Sequence, residues 1–231
     1  MGQSYLKNAA LLTGADVLLR LAGMGLRIYL ANALGGEGMG LYQLVLAVYA
    51  LFVTLATAGV SVAATRLMAE ELARGRAQAR GMLVRLAGTG LLLGAAAMAA
   101  QYGLAGAAAR WWLGDVRAAG ALRVSAFGMP WMAISAVLRG FFIARRRVEP
   151  NVLSQLVEQS VRIGIIWYAL EWGNAPDVSA RCTAVLAATA VSEAVSACIL
   201  LLFYRGEAVR AFGAETVSYT HLRAHETDSY L

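Results

Sequence analysis

The sequence predicts an all-α integral membrane protein built from six transmembrane helices. Three observations point there. Of 231 residues, 59% are hydrophobic and only 15% charged, against about 45–50% and about 25% in soluble domains. Mean hydropathy is +0.60. The apolar residues also fall into six runs, each near the about 20 residues a helix needs to cross a bilayer, with arginines gathered between them.

The first run, 9–33, carries charges and has no small-residue cleavage site after it, so no cleavable signal peptide is expected. The linker LGGEGMGLY (34–42) is glycine-rich. No Lys-Ser/Thr follows it and it lies between helices, which excludes a phosphate loop and leaves a tight helix-to-helix turn. The second and third runs, 41–63 and 83–105, hold no charge between Leu41 and Ala64 or between Leu86 and Ala109. Between them RLMAEELARGRAQARG (66–81) reads as a basic amphipathic helix. A solvated connector and a helix touching anionic headgroups both fit it. The fourth, fifth and sixth runs are 121–143, 151–172 and 181–204.

Orientation follows from the basic residues. With the amino terminus inside, the inner segments hold eleven: Lys7, Arg66, Arg74, Arg76, Arg80, Arg85, Arg145, Arg146, Arg147, Arg205 and Arg210. The outer segments hold four: Arg110, Arg117, Arg123 and Arg181. That asymmetry places both ends in the cytoplasm. Trp111, Trp112 and Trp172 fall at outer span ends, where interfacial aromatics belong. Basic residues spaced this way fit membrane orientation and exclude a nucleic-acid partner. Cys182 and Cys198 are sixteen positions apart in one run. That is about 24 Å of helical rise, too far for a disulfide, so both are expected to be small buried apolar residues.

The chemistry lies in charges within the spans. Arg20, Arg27, Arg139 and Arg162 are there, with Asp16, Glu158 and Glu193. Each charge near the bilayer centre costs about 2.5–3.5 kcal/mol, so such groups face a partner or a watery cavity. Arg20 and Arg27 are seven residues apart and point the same way. Asp16 stands four before Arg20, and Glu158 four before Arg162, spacings that allow an ion pair on one helix face. Gln155, Glu158, Gln159 and Arg162 form one polar stripe at i, i+3, i+4 and i+7. These sets either glue helices together or line a positively charged aqueous cavity suited to phosphate or diphosphate, whose oxygens match the guanidinium fork. Arg139, near an inner end, could instead snorkel to headgroups. Glu193, alone at the middle of its span, is either a proton- or cation-coupling carboxylate or a packing acid.

Three stretches carry a family resemblance: LLRLAGMGLRIYLANALGGEGMGLYQL (18–44), GVSVAATRLMAEELARG (59–75) and LRGFFIARRRVEPNVLSQLVEQSVRIG (138–164). Together they resemble the stage V sporulation protein B family, in the polysaccharide-exporter branch of the multidrug/oligosaccharidyl-lipid/polysaccharide flippase superfamily, over roughly residues 5 to 210. The resemblance implies a MATE-like flippase fold of two six-helix lobes around a central cavity. It implies a multi-pass protein of the bacterial cell membrane that moves undecaprenyl-diphosphate-linked saccharide, with lipid II among the candidate cargoes, from the inner to the outer leaflet by alternating access. Lipid II flippases, more distant relatives, carry cavity arginines on their first helix, and Arg20 and Arg27 match that R-x₆-R spacing. The acidic residue that follows the second arginine there is Ile28 here, and this leaves the cargo open. SQLVEQSVRIG matches the family's fifth-helix motif. A whole member would be about twice this length, so these six spans would form the amino-terminal lobe, partnered by a missing carboxy-terminal half, membrane lipids and an anionic lipid-linked saccharide.

The segment VSYTHLRAHET (217–227) holds His221 and His225, the only histidines in the chain. It matches an in-frame reading of a transposon adaptor used in sequencing libraries. Residues 216–231 are therefore expected to be a non-native tail, rather than a metal-binding one. Without it there is no histidine, no CxxC and no carboxylate pair near a membrane face, so a membrane enzyme, a metal site and a cofactor are not expected. A cation-coupled multidrug or metabolite exporter, motivated by Glu193, is the alternative to the flippase.

Overall fold

The computed structural model describes the backbone of residues 2–57, 59–74, 76–173 and 177–227, and the side chains of 12–57, 59–73, 80–173 and 177–207. All regular structure among the described residues is helical: α1 (Gly2–Thr57), α2 (Val60–Arg74), α3 (Arg76–Ala107), a π-helical turn (Ala108–Trp112), α4 (Ala118–Ala126), α5 (Met129–Ala144), α6 (Glu149–Glu171) and α7 (Val178–Thr227). The residue composition explains this. In hydrocarbon every backbone donor and acceptor must be satisfied within its own segment, and a helix does so.

The first two expected spans are the arms of α1, 2–34 and 36–57. The expected multi-residue turn at 34–42 is instead a single kink at Gly35 (φ 69°, ψ −178°). Only glycine adopts that backbone readily, because a Cβ would clash. The other glycines of this stretch continue the helix on either side. The second arm stops at Thr57, short of 63, and the chain restarts as α2. The expected helix over 66–81 is likewise split between α2 and α3. Nor is α2 a mere connector. Ala64 and Met68 are fully buried in a cluster with Leu83, Val137, Phe142 and Leu200.

The fourth expected span is broken at Phe127–Gly128 into α4 and α5. Pro130 occupies the first turn of α5, where its missing N–H costs nothing. The buried Gln101 side chain of α3 braces the break, with Nε2 donating to the Leu122 carbonyl (2.7 Å) and to Ser125 Oγ (2.8 Å).

Four segments are long and apolar enough to cross a membrane by length and composition: Leu12–Ala73, Arg80–Trp112, Ala118–Ala144 and Val178–Glu207. The first contains both arms of α1 as well as α2. The fifth expected span, α6, is not among them, because the polar stripe of Gln155, Glu158, Gln159 and Arg162 lowers the hydropathy of its 23 residues.

Packing follows small side chains. At the crossing of α3 and α5, a Cβ on Gly94 would lie 2.8 Å from Pro130 Cα and 3.0 Å from Met129 O. In lipid there is no hydrophobic drive between helices, and close backbone approach of this kind supplies the van der Waals contact that replaces it. The second arm of α1 packs on α3 and α7 through Val45, Tyr49, Phe52, Ala97, Ala105 and Leu186. The first arm joins α6 and α7 through Leu30, Leu34, Ile166, Val185 and Ala188. Its earlier part stays uncovered, with Val17, Leu18, Leu21, Met24 and Ile28 exposed.

One end of the bundle gathers the tryptophans. Trp111, Trp112 and Trp172 are exposed there. Arg117 holds Glu37 beside the α1 kink (2.6 Å) and Asp115 (2.9 Å). The Arg117 guanidinium keeps the Asp115 carboxyl below the usual carboxylate range. The opposite end carries Arg145, Arg146 and Arg147. Cys182 is buried, whereas Cys198, expected to be buried too, is exposed. A helix turns a new face outward every few residues, so composition alone could not separate them. The expected non-native tail lies beyond the described side chains, and residues 228–231 lie outside the described residues altogether.

Candidate functional site

Three helices bring the central charges together. Arg139 comes from α5, Glu158, Gln159 and Arg162 from α6, and Ser192, Glu193 and Ser196 from α7. Glu158 sits at the middle and is shared. Arg162 Nη2 donates to its Oε1 at 2.6 Å, and Arg139 Nη2 donates to its Oε2 at 2.9 Å. The four-residue spacing on α6 makes the first contact local, while the packing of α5 on α6 supplies the second. Arg139 Nη2 also donates to Ser196 Oγ (3.1 Å). Arg162 reaches Ser192 Oγ (3.2 Å) and Gln159 Oε1 (3.3 Å). The two guanidinium groups thus face two carboxylates in a charge-balanced cluster.

Glu193 is therefore not alone. It is buried, at 6% exposure, and accepts from Arg162 Nη2 at 3.4 Å. This long contact is its one ion pair among the described residues, whereas Glu158 holds two short ones. Arg139, for which snorkelling to headgroups was one option, donates to Glu158. Arg139 is also incompletely satisfied. Its Nε is buried without a hydrogen bond, as are Ser135 Oγ one turn earlier and Asn151 Oδ1, while Asn151 Nδ2 donates to the Arg139 carbonyl (3.3 Å). Gln155 is half-buried on the same stripe and makes no side-chain hydrogen bond among the described residues. No group of three or more metal-ligating side chains occurs among the described residues.

Arg20 and Arg27 lie elsewhere. Both are exposed on the first arm of α1, as is Asp16. The Asp16–Arg20 pair that the spacing allows does not form among the described residues. Two tyrosines of the second arm, Tyr42 and Tyr49, lie near these charges. Tyr42 feels the charges of both Arg162 and Arg27. Tyr49 faces Glu193, Arg162 and Glu158 electrostatically, and its hydroxyl donates to Met132 Sδ at 3.1 Å.

The sequence reasoning missed Ser192, Ser196, Asn151 and Tyr49. A signal existed for the serines. SEAVS (192–196) places two hydroxyls four apart around Glu193, on a face that must meet something polar. Asn151 and Tyr49 had no local signal, since their roles depend on which helices touch.

The family profile described as Polysaccharide biosynthesis protein matches residues 5–220. Over 166 residues, 71% of this chain, it is 34% identical to stage V sporulation protein B of Bacillus subtilis (strain 168). It spans about a third of that relative, 32% of its length. No solved structure matches. An all-helical chain with several membrane-length apolar helices, matched to this family over nearly its whole length, is a multi-pass membrane protein, and it belongs to the polysaccharide biosynthesis protein family.

Proposed function

We propose that this chain is the amino-terminal, six-span lobe of a flippase that carries an undecaprenyl-diphosphate-linked saccharide from the inner to the outer leaflet, with its amino terminus in the cytoplasm. Such a protein acts as a transporter rather than an enzyme. The observation that supports this best is the contrast between the two arginine sets. Arg139 and Arg162 are neutralised by carboxylates, whereas Arg20 and Arg27 are exposed, without an ionic partner among the described residues, on an apolar helix. Two unpaired guanidinium groups two turns apart on such a helix suit an anionic diphosphate, which would supply the missing counter-charge. In this reading the Arg139–Glu158–Arg162–Glu193 cluster ties α5, α6 and α7 into one rigid body, and Gln155 and Gln159 extend its polar face along α6. A rigid lobe can rock against a second one around a shared site.

The test is leaflet transfer by the full-length gene product. Arg20→Ala and Arg27→Ala should each abolish transfer of a fluorescent lipid-linked saccharide while the protein still reaches the membrane. Normal transfer by both variants removes the cargo site.

The alternative, a cation-coupled exporter, draws on the loosely held Glu193. Under that reading Glu193→Gln abolishes proton- or sodium-driven efflux of a cationic compound, whereas unimpaired efflux counts against it.

A further inference from the structure

The first arm of α1 presents more than two arginines. Arg20, Gly23 and Arg27 stand at i, i+3 and i+7, so they share one face of the helix. Arg20 and Arg27 are about 10 Å apart along its axis, and the residue between them on that face has no side chain. A Cβ built on Gly23 would meet nothing within 4 Å. Close packing therefore does not account for this glycine, as it does for Gly94 and Gly140, where a Cβ would run into neighbouring backbone. Backbone conformation does not account for it either. Gly23 lies inside a continuous helix, where alanine is the better residue. What Gly23 does is leave the space between the two guanidinium groups open.

The second arm brings a donor to the same level. Arg27 is eight residues before the Gly35 kink and Tyr42 is seven after it. Both therefore lie about 10–12 Å from the bend. The Tyr42 ring packs against the cluster of Leu30, Leu34 and Ile166 and against that of Leu41, Val45 and Leu186, which holds the side chain in place. Its hydroxyl is uncommitted. Tyr29 donates to Glu171 (2.9 Å) and Tyr49 to Met132 Sδ (3.1 Å), whereas Tyr42 makes no side-chain hydrogen bond among the described residues. The Tyr42 oxygen is not sealed from the surface either. A tyrosine hydroxyl in such a setting ordinarily finds a partner. The charges it feels include Arg162 and Arg27. Arg162 is already held by Glu158 (2.6 Å), while Arg27 has no ionic partner among the described residues.

We infer that Gly23 and Tyr42 complete the cargo site: Gly23 makes the room in which a diphosphate lies between Arg20 and Arg27, and the Tyr42 hydroxyl donates to one of its oxygens. This holds only if Arg20 and Arg27 bind cargo as proposed above, and it adds the two residues that shape that site. A neutral donor suits the position. It needs no counter-ion while the site is empty, whereas a third guanidinium on an apolar helix would. It also arrives pre-aligned, because its ring is packed, so little side-chain freedom is lost when the anion binds. A phosphoryl oxygen accepting from both a guanidinium and a hydroxyl gains charge-assisted hydrogen bonds from two arms of one kinked helix.

The probes are farnesyl diphosphate and, as the uncharged control, farnesol. Each is titrated onto the detergent-purified full-length gene product by microscale thermophoresis. Tyr42→Phe removes one oxygen and keeps the ring. It should weaken diphosphate binding roughly tenfold, the scale of one hydrogen bond to a charged group. Gly23→Leu fills the open space and keeps every charge, and it should weaken binding at least as much. Farnesol binding and the unfolding midpoint should stay at wild-type values in both variants, and Tyr49→Phe should bind the diphosphate as the wild type does. Undiminished diphosphate binding by either Tyr42→Phe or Gly23→Leu overturns the inference; if Arg20→Ala and Arg27→Ala abolish binding in the same series, the cargo site itself stands. An equal loss of farnesol, or an equal loss in Tyr49→Phe, also overturns it, since either marks disturbed packing rather than a lost phosphate contact. Wild-type diphosphate binding by Arg20→Ala and Arg27→Ala removes the cargo site, and Gly23 and Tyr42 with it.

Discussion

Glu158 is the point where the bundle is most vulnerable. Its carboxylate bridges Arg162 (2.6 Å) and Arg139 (2.9 Å), and its side chain is only 12% exposed. Glu158→Gln keeps the shape and one acceptor but removes the charge, so two guanidinium groups then face Glu193 alone. Removing one partner of a fully buried pair costs about 3–5 kcal/mol. Arg139 and Arg162 retain 28% and 21% exposure, and both keep serine contacts, which lowers the expected cost to about 2–3 kcal/mol. The control is Glu70→Gln on α2, whose i,i+4 pair with Arg66 is exposed and contributes roughly 0.3–0.5 kcal/mol. Denaturant unfolding of the detergent-solubilised protein, followed by circular dichroism, measures both. The double variant Glu158→Gln/Arg139→Gln restores neutrality and should recover about 1 kcal/mol of the loss, within the range of coupling between touching residues. If Glu158→Gln is no more harmful than Glu70→Gln, or if the second substitution recovers nothing, the cluster does not hold the three helices together.

Other substitutions test other features. Gly94→Leu would drive a side chain into the α5 backbone at Pro130 and should cost at least about 1–3 kcal/mol by overpacking, whereas Gly88→Ala, on an open face of the same helix, should be neutral or mildly stabilising in the same unfolding assay. Gly35→Ala forces a Cβ into the kink backbone and should destabilise by about 1–3 kcal/mol. Arg146→Gly relieves the left-handed strain at the end of α5 and should raise the unfolding midpoint by the equivalent of about 1 kcal/mol. Asp115 has a folded pKa below its ordinary value because of Arg117. Its contribution is therefore present above the ordinary carboxylate range and fades as the pH falls through the lower folded value. Asp115→Asn should accordingly flatten the acid side of the stability-versus-pH profile, and an unchanged profile would remove that role.

The site was half legible in the sequence. Spacing alone put Glu158 and Arg162 on one face of one helix, because four residues make about one turn whatever the helix packs against. The polar stripe said that this face must avoid lipid. It could not say that Arg139, nineteen residues earlier, would take the other Glu158 oxygen, or that Glu193 would touch Arg162 rather than stand alone. Those contacts cross helices. The same spacing rule overreached at Asp16 and Arg20, where the pair is allowed but does not form among the described residues.

By itself, then, the sequence determined that this protein is helical and lives in a membrane, because hydrocarbon accepts only self-satisfied backbone and the apolar runs have the matching length. It also determined the family, through motifs that need no coordinates to be read. Only the tertiary structure decided that one glycine folds the first two runs back as a kink, that Gln101 braces a break in the fourth, and that Arg139 and Arg162 are neutralised while the exposed Arg20 and Arg27 are not. A charge's fate depends on what lies across the gap from it, and the order of residues along the chain does not contain that distance.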